Sequence, residues 1–325
     1  MINIDALTRK TALKLNLLSN LNGRPRNLYK AASHLIKNGG KRIRPYLVLK
    51  CCEILDGNET YAIHAANAIE MIHNFTLVHD DIIDNDETRH GVDTVHKKFS
   101  PQIAILAGDI LFSKAYQLIS DNLPDHISKK IISTLARACI QLCEGQYEDI
   151  QMANSKIIPS EISYIQMIEK KTASLFEISC SIGAMCAQKK KSDIINFAKF
   201  GINLGIAFQI IDDLIGISGD PKITKKPVGN DLREGKKSLP IIIAIHKSRG
   251  MQRKKIIEIF GNTNASKNEL ENVVNIIHGM EIENVVRKQA LNYSLRAKNI
   301  INKYKDNSAK TELIDLLDFT VKRAL

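Results

Sequence analysis

The sequence predicts an all-α protein, on three observations. Apolar residues recur at three- and four-residue spacing through almost the whole chain. Alternation of β-branched and polar residues, the mark of a half-buried strand, is scarce. Only 8 prolines and 17 glycines punctuate 325 residues, and several stand where helices must stop. In chain order, an amphipathic opening runs from Asp5 to Lys14, and Gly39-Gly40 marks the first clear break. Tyr61 to Ile83 is apolar over most of a helical circumference, as a helix packed in the interior must be. Pro101 and Pro124 bracket the next segment. Beyond Asp125, a stripe of Ile127, Ile131, Ile132, Leu135, Cys139, Leu142 and Cys143 lies along one helix face. Beyond Ser160, Ile162, Ile165, Met167, Ile168, Leu175 and Phe176 form part of another, and Ser192 precedes a second nearly all-apolar helix, Ile194 to Ile217. Asp125, Ser160 and Ser192 suit helix N-caps, because a short polar side chain can satisfy free backbone N–H groups. Breaks follow at Gly219 to Pro227 and at Gly250. No linker, repeat or compositional shift divides the chain, so residues 1–325 read as one domain of about a dozen helices.

At 44% hydrophobic and 25% charged, the composition excludes disorder and collagen-like repeats. Lys+Arg 46 against Asp+Glu 35 gives a net charge of +11 and points to an anionic partner: nucleic acid, an acidic membrane surface or a phosphorylated metabolite. The charge-free run from Phe200 to Ile211 is shorter than the roughly 20 residues that cross a bilayer. No signal-peptide pattern opens the chain, so the expectation is a cytoplasmic protein that is not transmembrane. Six cysteines without a CxxC pair read as ordinary buried thiols, Cys139 and Cys143 included.

Both apolar helices end in paired aspartates. Asp80-Asp81-Ile82-Ile83-Asp84 is a DDxxD, in which Asp80 and Asp84 share a helix face with Cβ atoms about 5–6 Å apart. His73 lies two turns earlier on nearly the same line. Carboxylates so placed repel unless cations sit between them, and hard oxygen ligands in ones and twos suit Mg²⁺ that completes its shell with water and phosphate. Asp212-Asp213, preceded by Gln209, is weak alone; with the first cluster it suggests two helices presenting carboxylates to one cleft. Basic residues bracket both. Gly39-Gly40-Lys41-Arg42-Ile43-Arg44-Pro45 is a basic turn suited to a polyanion, Arg89 and His90 follow the first cluster, Lys170-Lys171-Thr172 lies mid-chain, and Lys226, Lys236 and Lys237 follow the second. Mg²⁺ with converging Arg and Lys is the usual way to hold a departing phosphate.

Gly39–Pro45, the DDxxD, Arg89 with Gly91, Gly108-Asp109, Lys171-Thr172, Phe208-Gln209-Ile210-Ile211-Asp212-Asp213 and Gly229-Asn230-Asp231-Leu232-Arg233-Glu234-Gly235-Lys236 occur in this order. Together they resemble the trans-isoprenyl diphosphate synthases, from about Lys37 to Lys247. The resemblance implies a helical bundle around a central cavity, the type I isoprenoid synthase fold. It implies head-to-tail condensation of isopentenyl diphosphate with dimethylallyl, geranyl or farnesyl diphosphate. Asp80, Asp84 and Asp212 would hold Mg²⁺, three ions per site, with Asp81 and Asp213 assisting. Arg89, Lys171, Lys226 and Lys236 would neutralise the allylic diphosphate, with Thr172 and Gln209 near the reacting carbons. Lys41, Arg44 and His73 would hold isopentenyl diphosphate, beside His90 at a position where the family usually has a second arginine. A homodimer is expected by the same analogy.

Two positions depart from the family pattern: His90, and Gly216 where a third aspartate is usual, with Asp220 a candidate substitute. For chain length, the family sets its pocket floor four or five residues before the first motif, here Thr76 and Phe75, about 7.5 Å along the helix. Phe75 projects about 140° from Asp80, so it blocks the pocket only along that flank. The pattern looks like the archaeal geranylgeranyl type. Farnesyl products, longer hexa- to octaprenyl products and a silent subunit of a heteromeric enzyme stay as alternatives. Nucleic-acid binding through Lys189-Lys190-Lys191 and Arg253-Lys254-Lys255 lacks interleaved aromatics. A terpene cyclase would need a Ser/Thr that Asn230–Glu234 lacks.

Overall fold

The structure, a computed structural model, describes residues 4–218 and 229–322. Among the described residues it is all-α apart from one hairpin, so the predicted fold class holds. The helices are α1 (Ile4–Lys14), α2 (Arg26–Ala32), α3 (His34–Asn38), α4 (Ile43–Ile54), α5 (Glu59–Ile83), α6 (Val95–Lys98), α7 (Pro101–Asn122), α8 (Asp125–Asn154) and α9 (Glu161–Ile168). A π-helical turn, Glu169–Ala173, leads into α10 (Ser174–Cys186) and α11 (Lys191–Ser218). Then follow α12 (Asn230–Arg233), α13 (Leu239–Lys247), α14 (Gly250–Ile259), α15 (Lys267–Gly279), α16 (Ile282–Ile301) and α17 (Ser308–Lys322). The count exceeds a dozen because short helices such as α3, α6 and α12 carry too few residues to show a period. The hairpin pairs β1 (Thr88–Arg89) with β2 (Val92–Asp93), antiparallel.

Local chemistry explains the boundaries. Asn58 caps α5 by accepting from the Tyr61 N–H, and Ser100 caps α7 ahead of Pro101 at the first turn. Ser266 and Glu269 form a reciprocal capping box at α15. Ser160 caps α9 as expected, whereas Asp125 and Ser192 fall inside the first turns of α8 and α11.

The chain forms two compact units. Unit 1 comprises residues 1–137, 175–198 and 304–313; unit 2 comprises 138–174, 199–303 and 314–325. In unit 1, α5 packs along α4 and α7, burying Leu47, Val48, Ala65, Ile69, Met71, Ile72 and Leu111. Unit 2 is built on α13, where Leu239, Ile241, Ile242, Ile243, Ala244 and Ile245 are all buried against Ile210, Leu214, Val274 and Val286. Five of the six cysteines are buried, but Cys143 is exposed, because its place on the α8 stripe lies outside the covered arc. α7 and α11 are long and apolar enough to cross a membrane by length and composition, since isolated charges interrupt the apolar run without removing it; their most apolar windows are 39% and 50% buried inside the protein.

One close approach is testable. A Cβ on Gly183 of α10 would lie 2.4 Å from the Val48 carbonyl oxygen and 2.9 Å from the Cys51 Cβ, both on α4. Backbone cannot yield as a flexible side chain can, so Gly183→Ala should destabilise the fold by about 1–3 kcal/mol in denaturant unfolding.

Candidate active site

The first acidic motif closes α5 within unit 1. Asp84 is the C-cap: its N–H donates to the Asp80 carbonyl at 2.8 Å, and its side chain is exposed. Asp80, one turn back, is half-buried. Asp81 turns inward, is fully buried and accepts from the Arg89 Nε. Arg89 also donates to Asp86 at 3.1 Å. Burial pushes the Asp81 carboxyl up to about 6, with the Arg89 charge pulling the other way. Arg89 is aimed by the hairpin, whose two-residue turn is His90-Gly91, with φ of +54° and +80°. Positive φ at both central residues is the turn that matches the twist of paired strands, and histidine is among the residues that tolerate it.

The glycine turn lies against this hairpin tip. Gly39 and Gly40 have φ of +150° and +105°, and a Cβ on Gly39 would stand 3.1 Å from the His90 Cβ. Lys41 follows, exposed, its carbonyl accepting the Thr8 hydroxyl at 3.0 Å. Arg44 stacks 4.8 Å over the Phe176 ring and places Nη1 3.1 Å from the His73 Nε2. Burial, then the neighbouring Arg44 charge, holds the His73 imidazole well below its usual range. Neutral His73 therefore accepts from Arg44 at Nε2 and carries its proton on Nδ1, which has no hydrogen-bond partner among the described residues.

Sequence reasoning missed the support beneath this group. Arg42 turns into the core, pairs with the buried Glu70 and donates to the Ile36 carbonyl at 2.6 Å. Burial pushes the Glu70 carboxyl up, and Arg42 opposes it. The available signal was polar Asn67, Glu70 and Asn74 at helical spacing inside an otherwise apolar helix.

Six residues before Asp81, the Phe75 ring meets His79 at 4.7 Å and Phe112 of α7 at 5.2 Å, and Phe112 meets Tyr116 at 4.9 Å. Gly108 permits this packing, since a Cβ there would overlap the His79 ring. The Thr76 hydroxyl donates to the His73 carbonyl at 2.8 Å.

Unit 2 carries the second motif on α11. Asp213 is buried and receives three donors: the Tyr164 hydroxyl, Gln209 Nε2 at 2.9 Å and Lys236 Nζ at 3.4 Å. Asp213 and Asp231 together hold Lys236 firmly in its charged form, and burial with Asp213 pushes the Tyr164 phenol up. The Thr172 hydroxyl donates to Gln209 Oε1 at 3.0 Å, so one chain of hydrogen bonds runs from Thr172 through Gln209 to Asp213. Asp212, beside it, is exposed. Lys171 pairs with Asp149 of α8 from within the π-helical turn, where Gly145 allows the backbones to touch: a Cβ there would lie 2.3 Å from the Lys171 nitrogen. Tyr164 and Asp149 carried no motif in the sequence. Lys226 and Asp220 lie outside the described residues.

Among the described residues, no group of three or more His, Cys, Asp or Glu side chains converges as a metal cage. Outward carboxylates in ones and twos, Asp80 with Asp84 and separately Asp212, fit Mg²⁺, which completes its shell with water and substrate phosphate.

Comparison with known proteins agrees with these motifs. A model of the family described as polyprenyl synthetase matches residues 25–277. A geranylgeranyl pyrophosphate synthase from Geoglobus acetivorans is 41% identical over 92% of each chain. A geranylfarnesyl diphosphate synthase from Aeropyrum pernix is 38% identical over 92% of this chain and 95% of its own. The crystal structure of a geranylgeranyl pyrophosphate synthetase from Pyrococcus horikoshii superposes with a TM-score of 0.92 at 33% identity, covering 98% of both chains. With a family match across most of its length and relatives this similar, the chain belongs to the polyprenyl synthetase family.

Proposed function

We propose that this protein condenses isopentenyl diphosphate head-to-tail with an allylic diphosphate, with geranylgeranyl diphosphate as its product. The observation that carries the reading is the split within each aspartate pair: Asp81 and Asp213 are buried and neutralised by protein donors, while Asp80 is only half-buried and Asp212 exposed. The outward carboxylates Asp80, Asp84 and Asp212 would hold Mg²⁺. Bound magnesium supplies positive charge that stabilises the departing diphosphate. Lys171, Lys226 and Lys236 neutralise the same allylic diphosphate, joined by Arg89 beside its pair with Asp81. Lys41, Arg44, His73 and His90 hold isopentenyl diphosphate, His73 through its protonated Nδ1. The Thr172 and Gln209 dipoles favour positive charge on the allylic carbons without offering a strong nucleophile. The proton lost after carbon–carbon bond formation goes to the released diphosphate. Phe75, held by His79 and Phe112, is the floor that limits chain growth, with the small Thr76 leaving room beside it. The reading includes a cytoplasmic homodimer, for which the exposed Ile105 and Leu106 of α7 offer apolar surface to a second copy.

Purified protein with Mg²⁺, labelled isopentenyl diphosphate and farnesyl diphosphate should yield a twenty-carbon product, and chelation should abolish it. Asp80→Ala should slow turnover about a hundred- to a thousand-fold. No elongation by the unmodified protein would leave the silent-subunit reading. Phe75→Ala should lengthen the product by at least one isoprene unit on chromatography; unchanged length would remove Phe75 from the floor. His73 gives a pH test. Unfolded histidine binds a proton near 6.5 whereas folded His73 stays neutral, so the stability it confers is present above pH 6.5 and lost as pH falls below it. In denaturant titrations, His73→Gln should flatten that loss by at most about 1.4 kcal/mol per pH unit, and equal slopes would show a normally titrating imidazole.

A further inference from the structure

The net charge of +11 is not spread along the chain: the first 50 residues contain eleven lysines and arginines and one carboxylate, Asp5. Lys41, Arg42 and Arg44 belong to the site above. Lys14 and Lys50 are spent on Glu59, Glu53 and Glu312. Arg24, Arg26, Lys30 and Lys37 are different. All four are exposed, and all four line one open groove of about 440 Å³ in unit 1, together with Asn22, Tyr29 and Ser33. No carboxylate lines this groove, and none of the four cations forms an ion pair among the described residues. Another cavity of unit 1 makes the contrast: its lysines, Lys10, Lys14 and Lys50, share their walls with Glu53, Asp56 and Glu59. Apolar surface adjoins the uncompensated groove. Leu21 lines it, and Leu18, whose carbonyl accepts the Leu21 N–H at 3.2 Å, is 45% exposed.

We propose that this groove, with its leucine rim, docks the protein on the anionic phospholipid headgroups of a bilayer. Clustered cations gain attraction from the negative potential of such a surface, and one or two leucines at the boundary add apolar burial. Headgroup phosphates suit Arg24 and Arg26 geometrically, since a guanidinium can donate to two phosphate oxygens at once. A nucleic acid would use the same charges but would leave the exposed Leu18 unexplained and finds one aromatic, Tyr29, on which to stack. Peripheral docking would also suit release of a largely apolar twenty-carbon product; this last point rests on the function proposed above, whereas the docking itself does not.

The test is co-sedimentation of the full chain, without substrates, with vesicles of phosphatidylcholine alone or mixed with phosphatidylglycerol. The expected result is binding to the mixed vesicles only, weakened at least tenfold when salt rises from about 0.1 to 0.5 M, as screening requires. The combined variant Arg24→Glu, Arg26→Glu, Lys30→Glu, Lys37→Glu should lose vesicle binding and keep its turnover of soluble substrates. Leu18→Ser should weaken binding without touching charge, which keeps the test open if the fourfold variant fails to fold. Equal binding to neutral vesicles, or full retention by the fourfold variant, would overturn the proposal. So would displacement from vesicles by inorganic diphosphate at micromolar levels, which would mark a small-anion site, or stronger binding to single-stranded RNA. Failure here leaves prenyl transfer intact, and an inactive protein that still binds vesicles would sink the enzymatic reading alone.

Discussion

A carboxylate at the end of an apolar helix has to be compensated, and much of this protein is arranged around that requirement. Both apolar helices end in adjacent aspartates, and adjacent helical residues point about 100° apart. One of each pair is therefore forced toward the core when the other faces out. Asp81 and Asp213 are the inward members, and each is met by donors from elsewhere in its own unit: Arg89 from the hairpin, and Tyr164, Gln209 and Lys236 around α11. Removing a donor from such a buried carboxylate leaves an acceptor unsatisfied, at a cost of about 1–3 kcal/mol. The inward aspartates thus anchor the helix ends, while Asp80 stays half-buried and Asp84 and Asp212 exposed.

The cation cluster of unit 1 obeys the same rule with the signs exchanged. Arg42 and Arg44 start α4 and could not both sit near His73 if it were charged. The structure answers by burying Glu70 against Arg42 and keeping His73 neutral, so that Arg44 donates to an imidazole instead of repelling one. Glu70 and Asn74 occupy helix positions that apolar residues would fill more cheaply, and the Asn74 amide donates to Glu70 at 3.1 Å. Such a buried polar group sets the direction of Arg42 and with it the course of the Gly39–Arg44 turn.

The fold class and the motif residues were legible in the sequence because both depend on local spacing. A 3.6-residue apolar period and a DDxxD are visible within one helix. The partners were not, because they arrive from distant points: Tyr164 reaches Asp213 across 49 positions, Arg42 reaches Glu70 across 28, and Asp149 meets Lys171 across 22. Helix ends shifted by a residue or two where several polar residues competed for the cap, as at Lys191-Ser192-Asp193. The two-strand hairpin was missed because two residues are too few to show alternation, yet its turn explains His90: the position needs a left-handed backbone next to Gly91 and sits against Gly39.

Gly216 shows how a departure from a motif can be a matter of packing. Read along α11, a glycine where the family has a third aspartate looks like a lost carboxylate. In space, a Cβ at Gly216 would lie 2.8 Å from the Asp231 Oδ2 and 3.1 Å from its Cγ. The space is taken by a carboxylate delivered by α12, and with this placement of Asp231 an aspartate at 216 would crowd it and add repulsion beside Asp213. Lys236 reaches Asp213 at 3.4 Å and Asp231 at 3.8 Å, so one cation serves both acids. Glycine at 216 thus leaves room for the inward path of Asp231, so the two positions are coupled through direct contact: a side chain at 216 would have to displace the Asp231 carboxylate from its place beside Lys236.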